Sequence, residues 1–270
     1  MRAQGLHIFD NDPYAELIPY LHEPSAELKA KPRRAMIVCP GGGYCFLSAR
    51  EDEPVALAWL AEGFQVFVLH YGICDRAKGY APLIQACTAV RYVREHAEEW
   101  NIDPNRIFIT GFSAGGHCAA SAGTLWDHEA VREAFGDVPT RIGRPDGTIP
   151  CYPVISAGEY AHRHSMVMLS PEGATVEEQQ AFSLEKWVNA DTAPAFLWHT
   201  SDDGSVPVQN SLLYASALAA HGVPFELHVF PHGAHGLALC DERTESGNPS
   251  FSNPHAAVWF PLAVRWAKQL

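Results

Sequence analysis

The sequence predicts an α/β protein built on a doubly wound, mostly parallel sheet with helices on both faces. Short, nearly continuous apolar runs at 35–39 (AMIVC), 64–71 (FQVFVLHY), 106–110 (RIFIT), 194–200 (APAFLWHT) and 225–230 (FELHVF) suit strands covered on both sides. Segments of helical character separate them, and that alternation is the signature of strands joined by crossover helices. At 270 residues, with 47 % hydrophobic and 19 % charged positions, the chain can bury a substantial core in one large domain.

Taken in order, residues near 5–9 and 17–22 form an expected antiparallel edge, and 35–39 begins the parallel part. A helix over 51–62 follows, with Glu51, Asp52, Glu53 and Pro54 placing acidic groups and an early proline at its N-terminus, and Gly63 at its end. After the strand at 64–71, Leu83, Cys87, Val90, Val93, Ala97 and Trp100 recur at steps of three and four, one apolar stripe on a helix. The strand at 106–110 leads into a helix from 114 to about 125, the strand at 194–200 precedes one over 208–220, and a last helix runs from about 255 to 268. Between about 126 and 190 the pattern breaks into Gly, Pro, His and Glu without periodicity, which predicts an insertion above the sheet within a single domain spanning 1–270.

Composition excludes several classes of partner. The net charge of −12 and the lack of a Lys/Arg cluster argue against nucleic acid and anionic membranes, and no run of about 18 uncharged apolar residues reads as a membrane span. The N-terminal stretch MRAQGLHIFDNDPYAEL has no apolar run of the signal-peptide kind, so the cytoplasm is the expected compartment. Seven cysteines, an odd number without a C-x-x-C pair, read as small buried hydrophobes. A homo-oligomer stays open.

Chemistry gathers in three loops. Gly111, Ser113 and Gly115 spell G-x-S-x-G where the strand at 106–110 hands over to the helix at 114, a turn that leaves a serine Oγ exposed. Such a hydroxyl needs a base to take its proton and a carboxylate to orient that base. Both occur after later strands, acid before histidine, in SDDGSVP and PHGAHGL. Side chains of the adjacent Asp202 and Asp203 diverge, so one of them reaches the histidine. His235, on a glycine-rich turn before Gly236, is the candidate base and His232 a loop histidine. Their H-x-x-H spacing comes with no third ligand cluster and no H-E-x-x-H helix, so no metal and no cofactor is expected. CPGGGYC, directly after the strand at 35–39, offers uncrowded backbone amides for a developing oxyanion, and it matches neither phosphate-binding glycine pattern.

Together CPGGGY, NIDPNRIFITGFSAGG, FLWHTSDDGSVPVQNS and FPHGAHGL resemble the α/β-hydrolase superfamily, in its acetyl xylan esterase-like and feruloyl or acetyl esterase-like branch, over about 35–125 and 190–270. The resemblance implies metal-independent hydrolysis of carboxylic esters through an acyl-enzyme. It implies Ser113 as nucleophile, Asp203 as orienting acid through the family's D-x-x-V-P spacing, His235 as base, and the amides of Gly42, Gly43 and Ala114 as oxyanion hole. Pro40 stands where many relatives carry a histidine that braces the loop. The implied partner is a small ester, an acetylated xylo-oligosaccharide above all. A general short-chain carboxylesterase, an oligopeptidase-type hydrolase and a silent binding protein are the alternatives. Tyr44, Tyr71, Arg163 and Trp187, with Phe46, Tyr160, His162 and His164, are the expected substrate contacts, since aromatic faces and forked donors suit hydroxyl-rich ligands.

Overall fold

A computed structural model describes residues 4–9, 12–25, 27 and 31–270. Its sheet has seven strands: β1 (Glu16–Tyr20), β2 (Arg33–Cys39), β3 (Gln65–His70), β4 (Ile102–Phe112), β5 (Gly147–Cys151), β6 (Ala195–Thr200) and β7 (Phe225–Phe230). They lie in the order β1-β3-β2-β4-β5-β6-β7, and only β1 runs antiparallel, against β3. The expected edge is therefore present, although near 5–9 the chain contributes just a bridge from Leu6 to Leu17.

The helices are α1 (Glu53–Ala61), α2 (Ala81–Glu95), α3 (Ala114–Thr124), α4 (Glu129–Phe135), α5 (Arg163–Leu169), α6 (Val176–Gln179), α7 (Gln209–Ala220) and α8 (Trp259–Gln269). Helices α1 and α8 enclose one apolar layer around Trp59, Trp198 and Trp259. On the opposite face α2 and α3 enclose the other, with Ile37, Ile109 and Val90. Every residue of α3 is buried, which its composition of Ala, Gly, Ser, Cys, His and Thr permits. A Cβ on Gly115 would stand 2.1 Å from the Cys39 carbonyl oxygen, so only glycine lets α3 pack this close to β2. Among the described residues no helix is long and apolar enough to cross a membrane.

Four expectations need correction. Glu51 lies in a 3₁₀ turn, Ala49–Glu51, ahead of α1 rather than at its N-terminus, and its side chain is buried. The stripe on α2 ends at Glu95, leaving Ala97 and Trp100 to pack from the turns that follow. The stretch 126–190 is not all insertion, because Gly147–Cys151 forms a buried strand between β4 and β6. That strand is five residues long and contains Pro150, which removes a ladder donor, so it gives a weak signal. Finally, Cys74 is exposed and Cys45 half-buried, whereas the other five cysteines are buried.

Topology places the site. From β2 the chain turns to β3 on one side, then crosses to β4 on the other, so the loops leaving β2 and β4 part at a switch point. A crevice opens there at the C-terminal strand ends, the usual location of ligands in sheets of this kind.

Candidate active site

Ser113 follows β4 directly and caps α3 with φ 55° and ψ −117°, a left-handed region that side chains rarely adopt. The surroundings hold it there: the Ser113 amide donates to the Cys151 carbonyl at 3.0 Å, and its own carbonyl accepts from Val154 and His117 at 3.0 and 3.1 Å. Strands β4 and β5 thus fix the turn on which the hydroxyl projects. The small flanking residues are obligatory, since a Cβ on Gly111 would meet the Gly115 carbonyl oxygen at 2.0 Å.

His235 reaches Ser113 from the loop after β7, its Nε2 2.8 Å from Oγ, while Nδ1 lies 2.7 Å from Asp203 Oδ2. An ionised carboxylate only accepts, so Nδ1 carries the proton, and Nε2 is free to accept the serine hydroxyl. Asp203 is itself pinned after β6. Its Oδ1 accepts the amides of Ser205 and Val206 at 2.8 and 2.9 Å, and the buried His199 stands 3.5 Å from Oδ2. Burial works to raise the Asp203 carboxyl, but the bonds from His199, His235 and Val206 outweigh it and hold its pKa well below the usual carboxylate range. Asp202 points elsewhere and pairs with exposed His232 at 2.9 Å. The two acids thus form separate pairs, and only one pair contains the serine.

The glycine loop after β2 completes the crevice. Gly42 and Gly43 have φ of 134° and 62°, and among the described residues their amides, like that of Ala114, donate to no protein acceptor. These are the three amides expected from the sequence, free beside Ser113. Pro40 brings no side-chain donor, and three other residues brace the loop instead. Tyr71 donates its hydroxyl to the Pro40 carbonyl at 2.5 Å, and Glu51 Oε2 accepts the Gly41 amide at 2.9 Å. Tyr44 donates to His117 Nδ1 at 2.9 Å, and His117 Nε2 donates to the Phe182 carbonyl at 2.9 Å. Burial pushes the His117 pKa down to about 4, against the carbonyl bond, which keeps the ring neutral.

The cleft over Ser113 has a volume of about 300 Å³. Its walls include Phe46, Arg50, His162, His164 and Ser205. Three larger clefts, of about 410, 400 and 390 Å³, lie at Ile8–Phe135, Leu21–Asn101 and Gly79–Phe182 and contain none of the Ser113, His235 or Asp203 groups. Burial lowers the His162 pKa, reinforced by His235 and His164 and opposed by Asp203.

Of the expected substrate contacts, Phe46, His162 and His164 line this cleft, and Tyr44, Tyr71, Tyr160, Arg163 and Trp187 do not. Tyr44 and Tyr71 are 1 % exposed and serve as loop braces. Arg163 donates back to the Ala157 and Gly158 carbonyls, and Trp187 donates to the Ala181 carbonyl with its ring edge-on to His128. Sequence patterns pass over Glu51, Arg50, Tyr152 and His199 as parts of the site. Glu51 and Arg50 offered a local signal, since they follow the glycine loop closely, but an acidic run before a proline reads as a helix start.

Known proteins resemble this chain along most of its length. A family model described as BD-FAE matches residues 21–218. The chain is 39 % identical over 235 residues to endo-1,4-beta-xylanase B of Butyrivibrio fibrisolvens, covering 86 % of this chain and 36 % of that protein. To the acetylxylan esterase of Xylanibacter ruminicola it is 33 % identical over 250 residues, covering 88 % and 48 %. The chain therefore spans between about a third and a half of these curated relatives. Among solved structures, the acetyl ester-xyloside bifunctional hydrolase of Caldicellulosiruptor lactoaceticus superposes with TM-score 0.84 at 40 % identity, covering 99 % of this chain and 96 % of that one. A carboxylesterase from Lactobacillus plantarum superposes with TM-score 0.81 at 28 % identity, covering 100 % and 96 %.

Proposed function

The chain belongs to the BD-FAE family and has the α/β-hydrolase fold, and from that premise we propose that it is a serine carboxylic ester hydrolase removing acetyl or other short acyl groups from carbohydrate esters of the xylo-oligosaccharide kind. One observation carries the reading: Ser113, His235 and Asp203 form a continuous hydrogen-bonded line at 2.8 and 2.7 Å, in a cleft that Gly42 and Gly43 also line.

In the proposed reaction Ser113 Oγ attacks the ester carbonyl carbon while His235 Nε2 takes the hydroxyl proton. Negative charge then develops on the carbonyl oxygen, which the amides of Gly42, Gly43 and Ala114 receive. Asp203, kept ionised by its donors, stabilises the imidazolium without taking its proton. As the tetrahedral adduct collapses, the bond to the leaving oxygen breaks and Nε2 returns the proton to that oxygen, releasing the alcohol. Water then attacks the acyl-serine with the same histidine as base, which frees the carboxylic acid and restores the serine. The acetyl-carbohydrate preference is supported by the names of the acetylxylan esterase and acetyl ester-xyloside hydrolase relatives and by an open cleft edged with Phe46, 60 % exposed. Seven unpaired cysteines support a reducing compartment such as the cytoplasm.

The test is acetate release from acetylated xylo-oligosaccharides beside p-nitrophenyl acetate and butyrate, with Ser113→Ala as blank. A higher kcat/KM on the sugars is expected. Serine-dependent cleavage confined to the synthetic esters would replace this reading with that of a general short-chain carboxylesterase.

A further inference from the structure

Arg50 is the fixed cation on the wall of the catalytic cleft. Its Nε donates to the Thr244 carbonyl at 2.6 Å, and its guanidinium carbon stands 3.8 Å above the centre of the Phe251 ring. Both anchors come from the segment after β7, and both are uncharged. They hold the group in place without neutralising it. Among the described residues no carboxylate forms an ion pair with Arg50, and its Nη2 is buried without a hydrogen-bond partner.

The surrounding groups sharpen the point. Glu51 is the one acid among the cleft-lining residues described, and both of its oxygens are already engaged, by the Gly41 amide and the Tyr152 hydroxyl. The remaining titratable groups of the lining are the Cys45 thiol and the imidazoles of His162, His164 and His235. A chain of net charge −12 therefore presents beside its nucleophile a guanidinium that, among the described residues, forms no ion pair, while its charge acts on the buried, doubly hydrogen-bonded Glu51. Buried or half-buried cations are ordinarily paired, so a rigid, unpaired one in an open cleft is suited to an anion that arrives with the ligand.

Position identifies which half of the ligand carries that anion. The leaving oxygen has to come within reach of His235 Nε2 to be protonated, so the alcohol half lies on the histidine side of Ser113. Arg50 is on that side: its Nη1 is 3.7 Å from where a Cβ on Gly236, the residue after His235, would stand. We infer that Arg50 forms a subsite for a carboxylate on the alcohol half of the substrate, so that the cleft accepts acyl esters of sugar acids, such as a uronosyl unit, in preference to their neutral counterparts. The inference rests on the ester-hydrolase reading of the same cleft.

The test uses two esters acetylated at the same hydroxyl, a methyl glucuronoside and the matching methyl glucoside, which differ only in carboxylate against hydroxymethyl. The quantity read is the ratio of their kcat/KM values in one protein, so a general loss of activity in a variant cancels. The expected ratio in the parent is about tenfold or more in favour of the uronate, set by KM and falling with added salt. It should drop towards one in Arg50→Met and lie between in Arg50→Lys. A parent ratio at or below one with both esters cleaved overturns the inference and leaves the esterase reading intact. So does a ratio unchanged in Arg50→Met, or cleavage of p-nitrophenyl acetate but neither sugar ester. Absence of Ser113-dependent acetate release from all three esters would instead overturn the esterase reading itself.

Discussion

Glu51 and Tyr152 are buried partners, Oε1 of the carboxyl accepting the tyrosine hydroxyl at 2.7 Å across 101 positions of sequence. The same tyrosine oxygen accepts the Ala238 amide at 2.9 Å, and the other carboxyl oxygen accepts the Gly41 amide. The two side chains together tie the glycine loop to the loop that carries His235. The Tyr152 ring also stands edge-on to His235, with centroids 5.2 Å apart. Burial raises the Glu51 pKa against these hydrogen bonds.

Glu51→Ala should therefore damage stability and turnover together. It strands the Gly41 amide and the Tyr152 hydroxyl, at about 1–3 kcal/mol for each group left unsatisfied. It also frees the loop that holds the proposed oxyanion amides, for an expected loss of roughly tenfold or more in kcat. Glu51→Gln, which can keep both contacts, should fall in between. Thermal unfolding and steady-state rates on p-nitrophenyl acetate check both parts, and a variant matching the parent in each would remove the bracing role.

Ser113→Ala should leave the far-ultraviolet circular dichroism unchanged and reduce kcat by about four orders of magnitude or more. Labelling by a fluorophosphonate probe should disappear with it. Activity within about tenfold of the parent would assign the nucleophile to another residue.

The two neighbouring acids should behave differently. Asp203→Asn removes the acceptor that sets the His235 tautomer, so kcat should fall by roughly a thousandfold to ten-thousandfold. Asp202→Asn touches only exposed His232 and the Gly233 amide and should stay within a few-fold of the parent. Equal losses in both variants would contradict the separate pairing.

Gly42→Ala places a Cβ 2.0 Å from the Phe46 carbonyl oxygen at a φ of 134°. The loop has to shift and its amides with it, for an expected loss of about a hundredfold in kcat. A crystal structure of the variant with the loop unmoved, or an undiminished rate, would count against the hole.

Acid should weaken the fold through His117. Its folded pKa of about 4 lies below the ordinary histidine value of 6.5, so between those values the unfolded chain binds a proton that the folded one does not. The stability due to neutral His117 is complete above about pH 6.5 and is lost as pH falls towards 4, by roughly 3 kcal/mol at most. Denaturant midpoints at about pH 7 and about pH 4.5 measure this slope. A slope as steep in His117→Gln as in the parent would assign it to other groups.

Much of this protein is written in local patterns. The strand, tight turn and helix around Ser113 depend on residues within a few positions of one another, and so do the glycine loop after β2 and the helix stripes. Periodicity and turn chemistry therefore reveal them. Strand β5 escaped because five residues with a proline give no period, and its place is set by its neighbours β4 and β6.

The α/β alternation and the chain order of serine, acid and histidine are legible in the residues alone. The choice of Asp203 over Asp202 comes from the resemblance of its D-x-x-V-P spacing, and the fold pairs Asp203 with His235. Folding in three dimensions was needed to turn Tyr44 and Tyr71 inward as braces, and to bring Arg50 and Glu51 to the cleft. The reason is distance along the chain: His235 and Ser113 are 122 positions apart, and Glu51 and Tyr152 101. Contacts of that span are chosen by how sheet and helices pack, which no window of neighbouring residues contains.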